Sequence, residues 1–195
     1  MYGMGIGKLA QTLGDIPFDE AKTLRNEYDE KVPFIRALAS AVMNAASKRS
    51  EIKTMLGRKC RFPMRELKGY SKEMKKSIHV DKLEEQWRDI LETPEDQRDR
   101  NWRSMNPVKY QVAFVYKALN RLIQASAADQ TKQAMKDCMD SGHWPMLTVH
   151  DELCFSIESD EQVAEIKGLM ENCVPTLTIP SKVDVGLGEN WGLAK

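Results

Sequence analysis

Asp151 and Glu152 are adjacent carboxylates in the stretch Thr148-Val149-His150-Asp151-Glu152-Leu153, flanked by apolar residues. Two neighbouring carboxylates in apolar surroundings are costly unless something compensates them. A divalent cation would do so. Phosphoryl transfer by two metal ions about 4 Å apart needs carboxylates that bridge or flank both ions. On this reading Asp151 is the direct ligand and Glu152 an outer or supporting one. The same tripeptide also fits an ordinary polar hairpin turn.

A second constellation lies upstream. Lys117, Asn120 and Gln124 are three and four residues apart, which places them on one face if the segment is helical. Amide side chains bond the minor-groove acceptors shared by all base pairs, so they suit a protein that checks pair geometry without reading sequence. A solvated helix face gives the same spacing. Ser126, Ala127 and Ala128 are small and allow close packing of that helix. Gly3-Met4-Gly5-Ile6-Gly7-Lys8 has the look of a phosphate loop. No strand precedes it, however, and Tyr2 and Leu9 occupy the places where the P-loop spacing requires Gly and Ser or Thr, so that reading is rejected.

These residues need elements to hold them. Residues 1–13 run from a glycine-rich start into a helical pattern. A further helix is expected after Asp15, a candidate N-cap, ending near Val32-Pro33. Phe34, Leu38, Ala41, Val42 and Ala45 mark another amphipathic helix. Ile52 to Phe62 reads as a hairpin. Residues 64–104 are charged and poor in aliphatics, a surface insertion apart from a helix over 81–92. A long helix is expected from Pro107 to Ser141-Gly142. Leu147, Val149, Leu153, Phe155 and Ile157 then alternate with polar residues, predicting two strands with His150-Asp151-Glu152 at the turn. A helix over 161–173 and a last strand at Val183 and Val185 complete an α+β fold, helices on a small antiparallel sheet.

The bulk properties fit this. The chain has 195 residues, 42% hydrophobic and 30% charged, as in a soluble globular protein. No run of 18 or more apolar residues is present, which gives no membrane partner. The N-terminus has no signal-peptide pattern. Cys60, Cys138, Cys154 and Cys173 form no C-x-x-C pair, which argues against zinc and fits reduced thiols in a cytosol. The net charge is zero, but residues 48–76 carry eleven Lys or Arg against three Glu, and residues 144–195 carry nine acids against three Lys. A basic segment attracts phosphates and an acidic one collects cations or faces water. Two solvated faces would look the same.

The order of motifs adds a resemblance. Ala118 to Asp129 (ALNRLIQASAAD), then Val149-His150-Asp151-Glu152, then Gly188-Glu189-Asn190-Trp191 resembles the end of the family A, polymerase I-like DNA polymerases. Tyr2-Gly3-Met4 is similar to the end of the family's fingers helix, and Thr54 to Lys59 (TMLGRK) to its hairpin after the fingers. Leu169 to Cys173 is similar to the bacterial members. The likeness covers the chain except roughly 66–106, and the helix and insertion look more like phage members. It implies distal fingers helices (1–48), a hairpin (49–63), a charged phage-type insertion (64–106) and the C-terminal half of the palm (107–195). It implies that Asp151 is the second catalytic Mg²⁺-binding aspartate, that Glu152 supports the metal site or primer end, and that His150 contacts the primer terminus. Asn120 and Gln124 would track the minor groove, beside Lys117. Tyr2, with Gly3, would stack at the template position, and Arg58 would contact duplex phosphate. Primer–template DNA and dNTP would be the partners, and the cytoplasm of an infected bacterium the setting.

The sequence also departs from the family. Tyr116 stands where bacterial members carry a groove arginine, and Ala125 replaces the usual glycine. No D-Y-S-x-x-E-like strand is present, so the first metal-binding aspartate and the ribonucleotide-excluding Glu are missing. The Arg and Lys that hold the triphosphate are missing too. The expectation is a polymerase portion that needs a separate N-terminal polypeptide, from a split gene or a truncated chain. A single-subunit RNA polymerase would share the Tyr-Gly end and the His-Asp pair but usually has Ser after the Asp, so Glu152 speaks against it. A non-catalytic or degenerate DNA-binding fragment is the other alternative.

Overall fold

A computed structural model describes residues 5–69 and 76–194. Tyr2 and Gly3 lie outside the described residues. The chain divides into two compact units, residues 1–123 and 124–195, and the division falls within one long helix.

In the first unit, α1 (Ile6–Thr12) and α2 (Phe18–Lys31) are joined by a turn in which Asp15 takes φ 58°. Pro17, not Asp15, caps α2, because a residue in the left-handed region cannot present the extended backbone that an N-cap needs. Asp19 and Glu20 in the first turn and Lys31 in the last complement the helix dipole. Pro33 forces Val32 out of the helical region and opens α3 (Pro33–Arg49). The hairpin appears as expected, β1 (Glu51–Lys53) antiparallel to β2 (Lys59–Arg61) with Ile52 opposite Cys60. Its turn is closed by Thr54, whose hydroxyl accepts from the Arg58 amide at 3.0 Å, and by Gly57 at φ 84°.

The surface-insertion reading fails at residues 64–67 and 78–79, which are strands, while the helix expected over 81–92 is present. β3 (Met64–Leu67) is the central strand of a three-stranded sheet, between β4 (Ile78–His79) and β5 (Tyr110–Val112). Arg65 pairs with Val112, and Gln111 donates to Glu66 Oε1 at 2.9 Å. α4 (Val80–Glu92) buries Leu83, and its Trp87 stacks on Trp102. The long helix does not start at Pro107. A short 3₁₀ turn, β5, and Phe114 at φ 59° intervene before α5 (Ala118–Asp140). A bulky residue in the left-handed region cannot propagate a helix, so Val112 belongs to a strand and Val115 to a 3₁₀ turn. The core joins Val42 and Ala46 of α3, Ile52, Phe62, Val112 and Ala118.

Phe62 is 2% exposed and central to that cluster, and Arg121 lies over its ring. Phe62→Ala should lower the unfolding free energy by about 3–5 kcal/mol, lost transfer energy plus a cavity. Urea denaturation of the two chains would show this as a lower midpoint.

In the second unit, α5 ends at Gly142, φ 89°, where the His143 amide bonds Cys138 O and the Gly142 amide bonds Met139 O. β6 (Leu147–Val149) and β7 (Glu152–Cys154) form a two-stranded antiparallel sheet, and α6 (Asp160–Asn172) starts at the N-cap Ser159. Ala134, Cys173 and Val174 form the core, with Leu153 and Met170 packed on it. No strand forms at Val183 and Val185. The Val183 amide donates to Glu171 Oε1 at 3.0 Å instead of to a ladder partner. Burial pushes the Cys138 and Cys173 thiols up, so at neutral pH they are protonated packing groups. No helix among the described residues is long and apolar enough to cross a membrane.

Candidate functional site

The carboxylate hairpin is built by three local causes. The β6–β7 register pairs Val149 with Glu152, which leaves His150 and Asp151 as a two-residue connection. His150 takes φ 54°, a conformation that only a few residue types enter readily, His among them. Leu153 packs on the α5–α6 core, and strand alternation therefore turns its neighbours Glu152 and Cys154 to the other face. The Met146 amide bonds Cys154 O at 2.7 Å and extends the ladder outward.

His150, Asp151 and Glu152 are all exposed, and none of their side chains makes an ion pair or hydrogen bond among the described residues. Two carboxylates held side by side on a fixed turn, open to solvent, can receive a hard cation. Mg²⁺ suits such a donor pair, because it takes one or two carboxylates and fills its shell with water and phosphate oxygens. Among the described residues no group of three His, Cys, Asp or Glu side chains is arranged to hold a metal.

The start of α5 carries the second constellation. Asn120 is half-buried and Lys117 exposed; Gln124, one helical turn beyond Asn120, is exposed. The Lys117 ammonium sits 5.1 Å from the Phe114 ring centre and 5.7 Å from that of Tyr116. Those rings meet edge to face at 6.5 Å. The strained Phe114 backbone thus orients a cation at the head of the helix, and strain of this kind gathers at functional positions. Arg58 is exposed in the β1–β2 turn and is not without a partner.

Sequence reasoning assigned nothing to three residues that the structure makes prominent. Arg121 donates to Arg61 O at 3.0 Å and lies 4.7 Å over Phe62, which fastens α5 to the hairpin. Asp129 is a buried carboxylate with a partner. Gly188 packs so tightly that a Cβ there would meet Leu193 and Ala194 backbone atoms at 2.6 Å. For Gly188 the Gly188-Glu189-Asn190-Trp191 motif was the available signal. Arg121 and Asp129 lie in the Ala118-to-Asp129 motif, but nothing in it gave them a role, since exposed and buried charges look alike in sequence.

Comparison with known proteins decides the relationship. The model of the family described as DNA polymerase family A matches residues 1–193. The chain belongs to DNA polymerase family A.

Relatives of this family A chain include a DNA-directed DNA polymerase of Pseudomonas phage M6, 35% identical over 89% of this chain and 20% of the relative. The thermostable DNA polymerase I of Thermus aquaticus is 29% identical over 100% of this chain and 20% of its own length. The chain thus spans about a fifth of the length of these relatives. Among solved structures, the POL domain of Pol1 from M. smegmatis, in complex with DNA primer-template and dNTP, is similar with a TM-score of 0.65 and 28% identity. That match covers 99% of this chain and 29% of the other. The α+β class, small antiparallel sheets with packed helices, agrees with that neighbour.

Proposed function

We propose that this family A chain forms the C-terminal side of the active site of a DNA-directed DNA polymerase, which adds deoxynucleotides to a primer 3′ end. The observation that carries the reading is the pair of exposed, unpaired carboxylates, Asp151 and Glu152, fixed on a tight hairpin in a chain of this family. Asp151 would hold Mg²⁺ directly, and Glu152 would support that site or the primer end. Bound there, the metal would supply charge stabilisation for in-line attack of the primer 3′-hydroxyl on the α-phosphate, with pyrophosphate as the leaving group. His150 contacts the primer terminus. Asn120 and Gln124 donate amide N–H groups to minor-groove acceptors of the last base pairs. Lys117 and Arg58 meet duplex phosphates, and the role given to Tyr2 with Gly3 is to test the template side of the nascent pair. The first metal-binding aspartate and the Arg and Lys that hold the triphosphate come from polymerase sequence outside these 195 residues. The setting is the cytoplasm of a bacterium infected by a phage.

Gln124→Ala tests the minor-groove role. One uncharged hydrogen bond is worth roughly 0.5–1.5 kcal/mol, about a three- to tenfold effect. In the reconstituted enzyme the loss should appear in extension of matched and mismatched primer ends, with duplex affinity nearly unchanged. A loss confined to ground-state DNA binding would leave Gln124 as a solvated helix residue.

A further inference from the structure

α4 holds five acids and two bases. Asp81, Glu85, Asp89 and Glu92 recur at spacings of three and four, so they share one face, and all four are exposed. Like charges so spaced destabilise a helix. The side chains of Glu85, Asp89 and Glu92 make no ion pair or hydrogen bond among the described residues. Beside this stripe, α4 and the 3₁₀ turn Trp102–Met105 enclose a cavity of about 550 Å³. Ile90, Trp102 and Met105 form its apolar lining, with Asp89 and Asp99 among its polar residues. The walls are fixed by their own contacts. Trp102 stacks on Trp87 at 5.8 Å. The Arg98 guanidinium lies 4.7 Å over the Trp102 ring and donates to Thr93 O and Leu91 O at the end of α4. Arg103, over the same ring, pairs with Glu95 at 3.2 Å. The two arginines are thus engaged, whereas neither Asp89 nor Asp99 has an ion-pair partner among the described residues, and Asp99 accepts the Asn101 amide at 2.7 Å.

We infer that this cavity and the acidic face of α4 form a docking site for a basic, extended segment of a partner protein, one apolar side chain of which enters beside Ile90, Trp102 and Met105. Charge complementarity sets the sign of the partner, since cations along the segment relieve the repulsion within the stripe and meet Asp89 and Asp99 at the cavity. The same charge repels nucleic-acid phosphate, so this face does not meet DNA. Length sets the kind of partner. From Asp81 to Glu92 the stripe runs roughly 16 Å along the helix, more than a small amine seated in the cavity covers. An apolar anchor in a preformed pocket, ringed by polar contacts, is how such segments gain affinity at low ordering cost. The inference is independent of the polymerase reading.

The test is fluorescence anisotropy of the 195-residue chain with two labelled lysine–glycine peptides, one with a central leucine and one with serine in its place. The leucine peptide should bind about tenfold more tightly, the effect of burying one such side chain. Asp89→Asn with Asp99→Asn should weaken its binding roughly fivefold, as two rim charges would. Both side chains are exposed, so the melting temperature should hold. Glu27→Gln with Glu30→Gln makes the same change of charge on exposed positions of α2 and should leave the affinity as it was. Equal binding of the two peptides, equal loss in the two double variants, or no binding at all overturns the inference. Spermidine binding more tightly than the leucine peptide also overturns it and makes the cavity a site for a small amine.

Discussion

Asp151→Ala should abolish primer extension by the reconstituted enzyme, by roughly three orders of magnitude or more if the carboxylate's loss costs at least about 4 kcal/mol of transition-state stabilisation. The side chain is exposed, makes no hydrogen bond or ion pair among the described residues, and lies in a turn whose conformation is set by His150 and the β6–β7 register. The variant should therefore fold and melt like the parent. Primer–template affinity should also survive, because on the proposed reading it comes mainly from phosphate contacts away from this carboxylate. Chemistry alone should be lost. Single-turnover extension, thermal melting and duplex binding on the same preparation separate these effects. Near-normal extension by Asp151→Ala would mean that this carboxylate holds no metal.

The hairpin was legible because its signals are local. A period of two, bracketed by apolar residues, is enough to expect two strands turning at His150-Asp151-Glu152; the structure narrows the connection to His150 and Asp151 and places Glu152 in β7, opposite Val149. The helices α2, α3 and α6 were legible for the same reason, each having its proline, cap or apolar face within its own sequence. What depended on distant partners was not. Met64–Leu67 looks like charged surface until it pairs with Tyr110–Val112, some 45 residues away, and that pairing also removes Val112 from the helix its spacing suggested. Val183 and Val185 alternate as a strand should, but a strand needs a neighbour, and Val183 turns its amide to Glu171. Phe114 took a left-handed backbone conformation that its residue type does not announce. Of the site, the carboxylates and the amide row were visible as residue types. The Arg121 clasp appeared only with the packing of α5 on β2 in hand.

These 195 residues alone should be inert, and a fragment that carries the polymerase motifs they lack should restore extension. On the proposed reading they hold one of two metal-binding aspartates, and one aspartate cannot place both ions that in-line phosphoryl transfer uses. The same account expects exposed apolar surface beside the carboxylate hairpin. Trp144 and Met146, just before β6, are 65% and 75% exposed, and Leu147 in the strand is also exposed. The two strands pair only with each other among the described residues, so their outer edges are open. An N-terminal fragment that carries the missing aspartate and covers this surface should raise the melting temperature by mass action and suppress self-association. The most direct measurement is Mg²⁺-dependent extension of a labelled primer, with preparations free of host polymerase, by the chain alone, by such a fragment alone, and by the two mixed. The account predicts extension in the mixture only. Robust extension by the chain alone would contradict it.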